Sequence, residues 1–255
     1  MRIDHLSASR IETFLRCALQ YHALYDLKLE EKVHPAATLG KAVHLAMELS
    51  TRAMVAERHP TLWDPRNLVI PVMRRYEIPN GERLRVWQLI ENAIEMGYFE
   101  DIDYTVGCEQ AFSLFLSENV PLHVPLRNRD LLVGVIDRLD WHGDDVTIHD
   151  LKTGKHIPSE RELANSWQVR CYNIAARSFP LESEPRLGGV KFKFWYLASA
   201  RAVEVEKSAE DAEEDRIELL SLADRIIRCD DPQPNPSGLC PYCLYEEQCP
   251  ARKSK

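Results

Sequence analysis

The chain has 255 residues, of which 45% are hydrophobic and 28% charged, and its formal net charge is −8. This composition is typical of a soluble globular protein, and the negative charge gives no indication of nucleic acid as a partner. No apolar run approaches the roughly 18 residues of a membrane span and no secretory signal is visible, so we expect a cytoplasmic protein without membrane contact.

The chain is predicted to begin with helices, at residues 7–27, 39–57 and 83–102. Ser9 and Glu12 fit a capping box near the start of the first helix. In the second helix, His44 and Glu48 lie one turn apart on the same face. A lone histidine on a helix is more often structural than a metal ligand, so His44 by itself indicates little.

Strand patterns follow at residues 106–116, 131–137 and 145–152, then a helix at 160–178, strands at 189–197 and 202–206, and a helix at 208–229. The continuous apolar run at 131–137 predicts a central strand that is buried on both faces. The order of elements predicts an α/β fold in one domain over residues 1–255, with a helical insertion at 58–105 and a sheet core at 106–206.

Two acids and a lysine mark the second and third predicted strands. Asp137 ends the second strand, while Asp150 and Lys152 are two residues apart and therefore share one face of the third. If these strands pair through a turn at 142–144, the two carboxylates converge and can bind a hard divalent cation such as Mg²⁺ or Mn²⁺, with His44 as a further ligand for Mn²⁺. Such a cation activates water, and Lys152 would stabilise the transition state of phosphodiester hydrolysis. Surface salt bridges explain these charges about equally well.

A second pair of polar residues lies in the helix after the lysine. Gln168 and Tyr172 are four residues apart and share one helix face. Both can form hydrogen bonds with a phosphate, a base or an activated water. An ordinary polar helix face is the commoner explanation of such a pair.

The C-terminal sequence Cys240-x2-Cys243-x5-Cys249 is typical of half a soft-metal site, and Cys17 is the available fourth ligand. Four thiolates fit either Zn²⁺ or an iron–sulfur cluster, and the spacing alone does not decide between them. A fourth ligand so far upstream predicts a staple between residues 1–30 and 231–255. The remaining cysteines are predicted to be buried and inert: Cys108, Cys171 and Cys229.

Together, these motifs resemble a known enzyme family. Gly40-x3-His44, Gly134-Val-Ile-Asp137-Arg138, Asp150-Leu-Lys152 and Gln168-x3-Tyr172 are similar, in that order, to the motifs of the RecB-type branch of the PD-(D/E)XK nuclease superfamily. The opening LSASRIETFLRCALQYHALY and the C-terminal cysteines resemble its iron–sulfur subset, which includes the AddB nuclease domain and the small nucleases of CRISPR adaptation. The resemblance runs from Leu6 to Cys249.

The resemblance implies a restriction-endonuclease-like core, in which helices flank a mixed central sheet and a four-cysteine cluster joins the N- and C-terminal segments. It implies a Mg²⁺ or Mn²⁺ site formed by His44, Asp137, Asp150 and the backbone carbonyl of Leu151. Lys152 would be the catalytic lysine, and Gln168 and Tyr172 would position DNA or the site itself. Two acids are second-tier candidates, Glu48 and Glu109. A [4Fe–4S] cluster, with Zn²⁺ as the alternative, would be held by Cys17, Cys240, Cys243 and Cys249.

The function implied is a metal-dependent DNA exonuclease that acts on DNA ends or single strands in recombination, repair or replication. The alternative is a partner-dependent DNA-processing or binding subunit of the CRISPR-adaptation type, with weak intrinsic activity. A degenerate nuclease kept as a scaffold is a third hypothesis, which the full set of catalytic residues disfavours. No helicase motor accompanies the motifs, so a helicase, a recombinase or an integrase is a candidate partner, and oligomeric state is left open.

Overall fold

A computed structural model describes residues 1, 3–29, 35–57, 64–116, 131–143, 145–177, 189–243, 245–246 and 249–253. The α-helices are α1 (Ala8–Arg16), α2 (Ala18–Tyr21), α3 (Pro35–Glu57), α4 (Pro65–Arg75), α5 (Asn80–Glu95), α6 (Glu160–Ala164), α7 (Trp167–Ala176), α8 (Ala209–Ile227) and α9 (Pro250–Lys253). The strands are β1 (Thr105–Phe115), β2 (Leu131–His142), β3 (Asp145–Lys152), β4 (Val190–Tyr196) and β5 (Arg201–Lys207). A π-helical turn follows α2 at His22–Asp26, and short 3-10 helices lie at Ile102–Tyr104, Leu197–Ser199 and Cys240–Tyr242.

Within the described residues, the strands form one mixed sheet in the order β1-β2-β3-β4-β5. Strands β3 and β4 are parallel, and α6 and α7 lie in the connection between them; the other neighbouring pairs are antiparallel. Helices flank this sheet, as expected for an α/β fold of the restriction-endonuclease type. No helix in these residues has the length and apolar character that crossing a membrane requires.

Two hydrophobic clusters cover the two faces of the sheet. In one cluster, side chains of α1, α7 and α8 pack with sheet residues such as Ile148, Phe192 and Phe194. In the other, α3, α4 and α5 pack with Leu151 and Trp195. Helices therefore pack on both faces of β3 and β4, and α3 carries His44 over the second face.

Several predicted boundaries were wrong for local reasons. The first predicted helix is interrupted at Cys17, whose backbone is extended (φ −163°, ψ 110°), and its cap is Ser7 and not Ser9, since the Ser7 hydroxyl accepts from the N–H of Arg10. The helix predicted at 160–178 is divided into α6 and α7, each with its own serine cap, Ser159 and Ser166.

The prediction of a central, fully buried strand at 131–137 was also wrong. Strand β2 continues to His142, occupies the second position in the sheet, and leaves Val135 43% exposed. Residues 145–152 form β3 as predicted, and β2 and β3 pair as an antiparallel hairpin. The predicted turn includes Asp144, which lies outside the described residues.

A fork between β2 and β3 sets the position of the candidate site. The β2–β3 pairing extends from His142–Asp145 to Arg138–His149, whereas β2 pairs with β1 as far as Leu131. Beyond the fork, the free side of β2 bonds to Leu6, whose N–H donates to the Leu131 carbonyl at 2.6 Å.

Candidate active site

Asp137 and Asp150 are the first residues beyond the end of the β2–β3 pairing. The last pair is Arg138 with His149, so the two acids occupy the mouth of the fork. The N–H of Leu151 donates to Asp137 Oδ2 at 2.8 Å, which fixes this carboxylate across the fork. Asp137 therefore lies inside β2 and not at its end, where the sequence pattern predicts it.

Three potential metal ligands converge at the fork, and Asp137 is one of them. His44 Nδ1 lies 3.4 Å from Asp137 Oδ2, and ligand atoms of His44, Glu109 and Asp137 lie within 4.8 Å of one another. Glu109 lies between Cys108, which pairs with Arg138, and its neighbour Gln110, which pairs with the residue before Asp137, so it faces Asp137 across β1 and β2.

The backbone of Glu109 is in the left-handed region, with φ 49°. A left-handed conformation costs a residue with a Cβ about 1–2 kcal/mol, and inside a strand it marks local backbone strain. Here it interrupts the alternation of β1 at the residue that faces the carboxylate of Asp137. The strain is therefore local to the candidate metal site.

The electrostatics of this group favour a bound cation. Burial raises the pKa of Glu109, and the charges of Asp137 and Glu48 raise it further. Burial disfavours the charged form of His44, but its hydrogen bond with Asp137 and the surrounding carboxylates outweigh burial and raise its pKa. Negative groups thus crowd into a half-buried space, and a positive charge relieves their repulsion.

Asp150 takes part in a second network. Its Oδ2 lies 2.6 Å from Lys152 Nζ, and its Oδ1 accepts from Gln168 Nε2. Lys152 Nζ also donates to Gln168 Oε1 at 2.8 Å. Burial raises the pKa of Asp150, Lys152 opposes this shift, and the charge of Asp137 adds to it. The predicted residues Asp150, Lys152 and Gln168 are therefore in mutual contact. They lie next to the group of His44, Glu109 and Asp137.

Tyr172 borders the fork from α7. Its hydroxyl donates to the Val135 carbonyl at 2.6 Å, and its ring packs edge-on against Phe112 at a centroid distance of 5.7 Å. Gly134 permits this packing, because a Cβ there would lie 2.5 Å from Phe112 Cζ and 3.3 Å from Tyr172 Cε1. Burial raises the pKa of Tyr172, so the hydroxyl is a neutral donor at physiological pH.

A cleft of about 470 Å³ opens from His44, Glu109 and Asp137 along α3. Its wall includes Glu48, which forms an ion pair with Arg52 at 2.9 Å. Lys41 and Tyr76 also line it, and neither is among the site residues predicted from the sequence. Lys41 lies inside the Gly40-x3-His44 motif, while Tyr76 follows a helix, α4, that its proline-containing sequence had concealed.

The four motif cysteines line one cavity of about 500 Å³, namely Cys17, Cys240, Cys243 and Cys249. The N–H of Asn235 donates to Cys17 Sγ at 3.5 Å and that of Ser237 to Cys240 Sγ at 3.2 Å. Over the described ranges, no three of the four sulfurs come within 4.8 Å of one another. The thiols thus surround a common space without forming a compact group.

The other three cysteines differ in burial. Cys171 is buried as predicted, whereas Cys108 and Cys229 are only partly buried. All seven cysteines are free. Burial raises the pKa of Cys108 to about 12, which keeps its thiol protonated.

Comparisons with known proteins identify the family to which the chain belongs. The family model of the PD-(D/E)XK nuclease superfamily matches residues 5–250, so the chain belongs to that superfamily. It is 27% identical over 180 residues to one subunit of the ATP-dependent helicase/deoxyribonuclease, both in Listeria monocytogenes and in Listeria innocua. Each match covers 60% of this chain and 16% of the relative, so the chain spans less than a fifth of the length of these relatives.

A solved structure has a similar fold over most of the chain. It is a crystal structure of a protein from Eubacterium rectale described as a candidate exonuclease, with a TM-score of 0.51 and 12% identity. The match covers 95% of this chain and 88% of that protein. At this level of identity the similarity concerns the fold alone.

Proposed function

We propose that this chain is a Mg²⁺- or Mn²⁺-dependent deoxyribonuclease that hydrolyses phosphodiester bonds as an exonuclease, at DNA ends or in single strands. One observation carries the proposal. At the fork between β2 and β3, the potential ligands His44, Glu109 and Asp137 lie next to the network of Asp150, Lys152 and Gln168. Family membership supports nuclease activity. The name of the Listeria relatives supports DNA as the substrate, and the name of the Eubacterium rectale protein supports exonuclease action.

The donor set fits a hard divalent cation. Carboxylate and carbonyl oxygens suit Mg²⁺ and Mn²⁺, and an imidazole favours Mn²⁺. We assign His44, Asp137 and Asp150 as ligands, with Glu109 as a further one. A carboxylate has about four acceptor positions, so Asp150 can bind Lys152 and a cation together. A strand residue directs its N–H and C=O to the same neighbour, so the Leu151 carbonyl also faces the fork.

The catalytic roles follow from the contacts around Lys152. When bound, the cation supplies water of lowered pKa and offsets charge on the phosphate. Asp150 and Gln168 hold the Lys152 ammonium in place. From there, Lys152 orients the attacking water and stabilises negative charge that develops on the phosphate oxygens. Gln168 and Tyr172 position the fork and the DNA, and Glu48 shapes the cleft wall.

We further propose that the cysteine cavity holds a [4Fe–4S] cluster. A tetrahedral zinc site with Zn–S bonds of about 2.3 Å would need its sulfurs about 3.8 Å apart. In the part of the chain that the structure describes, the sulfurs are spread around a cavity of about 500 Å³ and no three lie within 4.8 Å. The resemblance supports the iron–sulfur cluster, the cavity has room for it, and hydrogen bonds to the sulfurs are found at iron–sulfur centres.

The nuclease proposal is tested by cleavage of end-labelled single- and double-stranded DNA with Mg²⁺ or Mn²⁺. We expect Asp137→Ala and Lys152→Ala each to lower the rate by at least about 100-fold, because each removes charge stabilisation from the transition state. The matched controls are Asp145→Ala and Lys191→Ala, which change exposed residues outside the fork. Cleavage that survives in both active-site variants would refute the assignment. Circular single-stranded DNA distinguishes the modes, since an exonuclease leaves it intact.

A partner-dependent subunit is the second candidate. The observation that favours it is the length of the Listeria relatives, of which the matched segment is only 16%. In that case, the isolated chain binds DNA but cleaves it slowly until a helicase, recombinase or integrase is added. Full-rate cleavage by the isolated chain excludes this alternative.

A further inference from the structure

We propose that Tyr76 and Lys41 select the substrate of the cleft: Tyr76 stacks on an unpaired base, and Lys41 binds the phosphate beside it. The site would thereby accept a single-stranded DNA end and would require a duplex end to fray first. This inference rests on the proposed nuclease function and names its substrate class. It is carried by the lining of the cleft that opens from His44, Glu109 and Asp137.

Tyr76 is presented by a rigid turn. It caps α4, and beyond it the Glu77 N–H donates to the Arg74 carbonyl at 3.1 Å and the Ile78 N–H to the Met73 carbonyl at 2.9 Å. These bonds form a Schellman motif, with Glu77 in the left-handed region at φ 51° and Ile78 only 3% exposed. The tyrosine backbone is therefore fixed before a ligand arrives, which lowers the entropic cost of binding.

Lys41 supplies a permanent cation to a cleft whose lining includes three acids, Glu48, Glu109 and Asp137. It lies three residues before His44 on α3, so both point to neighbouring parts of one helix surface. Glu48 on the same helix is paired with Arg52. Lys41 is exposed and forms no ion pair with any residue that the structure describes. A phosphate group would supply the anionic partner that none of the described residues provides.

The size of the cleft agrees with one nucleotide. Its volume of about 470 Å³ is in the range of small-ligand sites. Stacking on an aromatic ring tolerates any base, because every base has a π-face, and a basic side chain beside it follows the backbone. In a duplex, by contrast, the terminal base is paired and stacked, so it reaches Tyr76 only after the pair opens.

The test reads binding without cleavage, with Ca²⁺ in place of Mg²⁺ or Mn²⁺. The dissociation constant is measured by fluorescence anisotropy for a single-stranded oligonucleotide and for two versions with abasic residues at the 5′ or the 3′ end. We expect Tyr76→Ala to weaken binding of the normal oligonucleotide roughly 5- to 100-fold. The loss should vanish for one of the two abasic versions, and this version also gives the polarity.

Two variants separate stacking from structural damage. Tyr76→Phe keeps the ring and should bind as the wild type does. Tyr104→Ala removes a tyrosine that is 50% exposed and does not line the cleft, and it should have no effect. Stacking is overturned if Tyr76→Phe loses as much as Tyr76→Ala, if both abasic versions keep the full loss, or if the wild type binds no single-stranded end.

The phosphate contact has its own readout. Lys41→Gln should reduce the slope of log affinity against log salt by about 0.7, the value for one phosphate contact on a single strand. Lys191→Gln should leave the slope unchanged. An equal slope for wild type and Lys41→Gln would remove Lys41 from the proposal. Because cleavage is not measured, these outcomes are independent of whether Asp137 and Lys152 hydrolyse DNA.

Discussion

Arg138, directly after Asp137, is fully buried and serves as the centre of a polar network under the site. Its guanidinium donates to Asp140 Oδ1 at 2.8 Å and to Thr105 Oγ1 at 3.0 Å. His149 Nε2 lies 3.0 Å from Asp140 Oδ2, and His149 Nδ1 accepts from Trp195 Nε1 at 3.0 Å. The network joins β1, β2, β3 and β4 on the face opposite Asp150, so we infer that it holds the fork in position.

The pKa values of this network predict an acid-sensitive fold. Burial disfavours the charged form of Asp140, but its hydrogen bonds with His149 and Arg138 outweigh burial and lower its pKa to about 2, from an ordinary value of 3.8. Burial also lowers the pKa of His149 from 6.5. Both groups bind protons more readily in the unfolded chain, so the free energy of unfolding should fall as the pH drops below about 6.5. The Asp140 contribution is present above pH 3.8 and is lost towards pH 2.

Replacement of Asp140 tests this network. Asp140→Asn leaves the Arg138 charge buried without its anion, which should lower the free energy of unfolding by about 3–5 kcal/mol at pH 7. Urea denaturation at pH 7, 5 and 3 measures both this loss and the reduced acid sensitivity. The control Asp145→Asn, at an exposed strand end, should change stability by less than about 0.5 kcal/mol. A stable Asp140→Asn protein with the wild-type pH dependence would contradict the prediction.

At the scale of elements, the sequence predicted the features that local residue patterns determine. It did not predict those that depend on how distant segments pair. The alternation at 145–152 identified β3 with its full range, and the motif residues of β3 and α7 do meet at the fork. The facing of Glu109 and Asp137 depends on the β1–β2 register and a left-handed residue, neither of which a pattern of apolar residues encodes. The division into a 58–105 insertion and a 106–206 core stays a prediction, since 58–63 and 117–130 lie outside the described residues.

The close contact between β2 and α7 leads to a prediction about the stability of the fold. Gly134→Ala would push a Cβ against the rings of Phe112 and Tyr172, so we expect a loss of about 1–3 kcal/mol in the free energy of unfolding. The control is Gly81→Ala in α5, where a Cβ meets nothing within 4 Å. Alanine favours a helix over glycine, so this control should be neutral or stabilise by up to about 1 kcal/mol. Urea denaturation measures the free energy of unfolding of both variants. Equal values would show that the β2–α7 contact is loose.

At the scale of the whole molecule, distant parts of the chain are joined beside the cysteine cavity. The Leu19 N–H donates to the Gln233 carbonyl at 3.3 Å, and Asn235 Nδ2 donates to the Arg16 carbonyl at 3.0 Å. These bonds connect the first helices to the segment that leads to Cys240. Helix α1 in turn packs in the same hydrophobic cluster as α7, which carries Gln168 and Tyr172. The cysteine cavity is thereby linked to the fork through one layer of helices.

A cluster at this junction should stabilise the whole fold. The bonds that join α1 and α2 to residues 233–235 are few and exposed, so thiolate–metal bonds would supply most of the restraint there. Cys243→Ala should therefore abolish the brown colour of an iron–sulfur protein and lower the melting temperature by roughly 5–10 °C. The control is Cys229→Ala, a partly buried cysteine that does not line the cavity and should change neither property. A Cys243→Ala protein that kept its metal content and its melting temperature would eliminate the staple, and a colourless wild type with bound zinc would replace the iron–sulfur assignment with Zn²⁺.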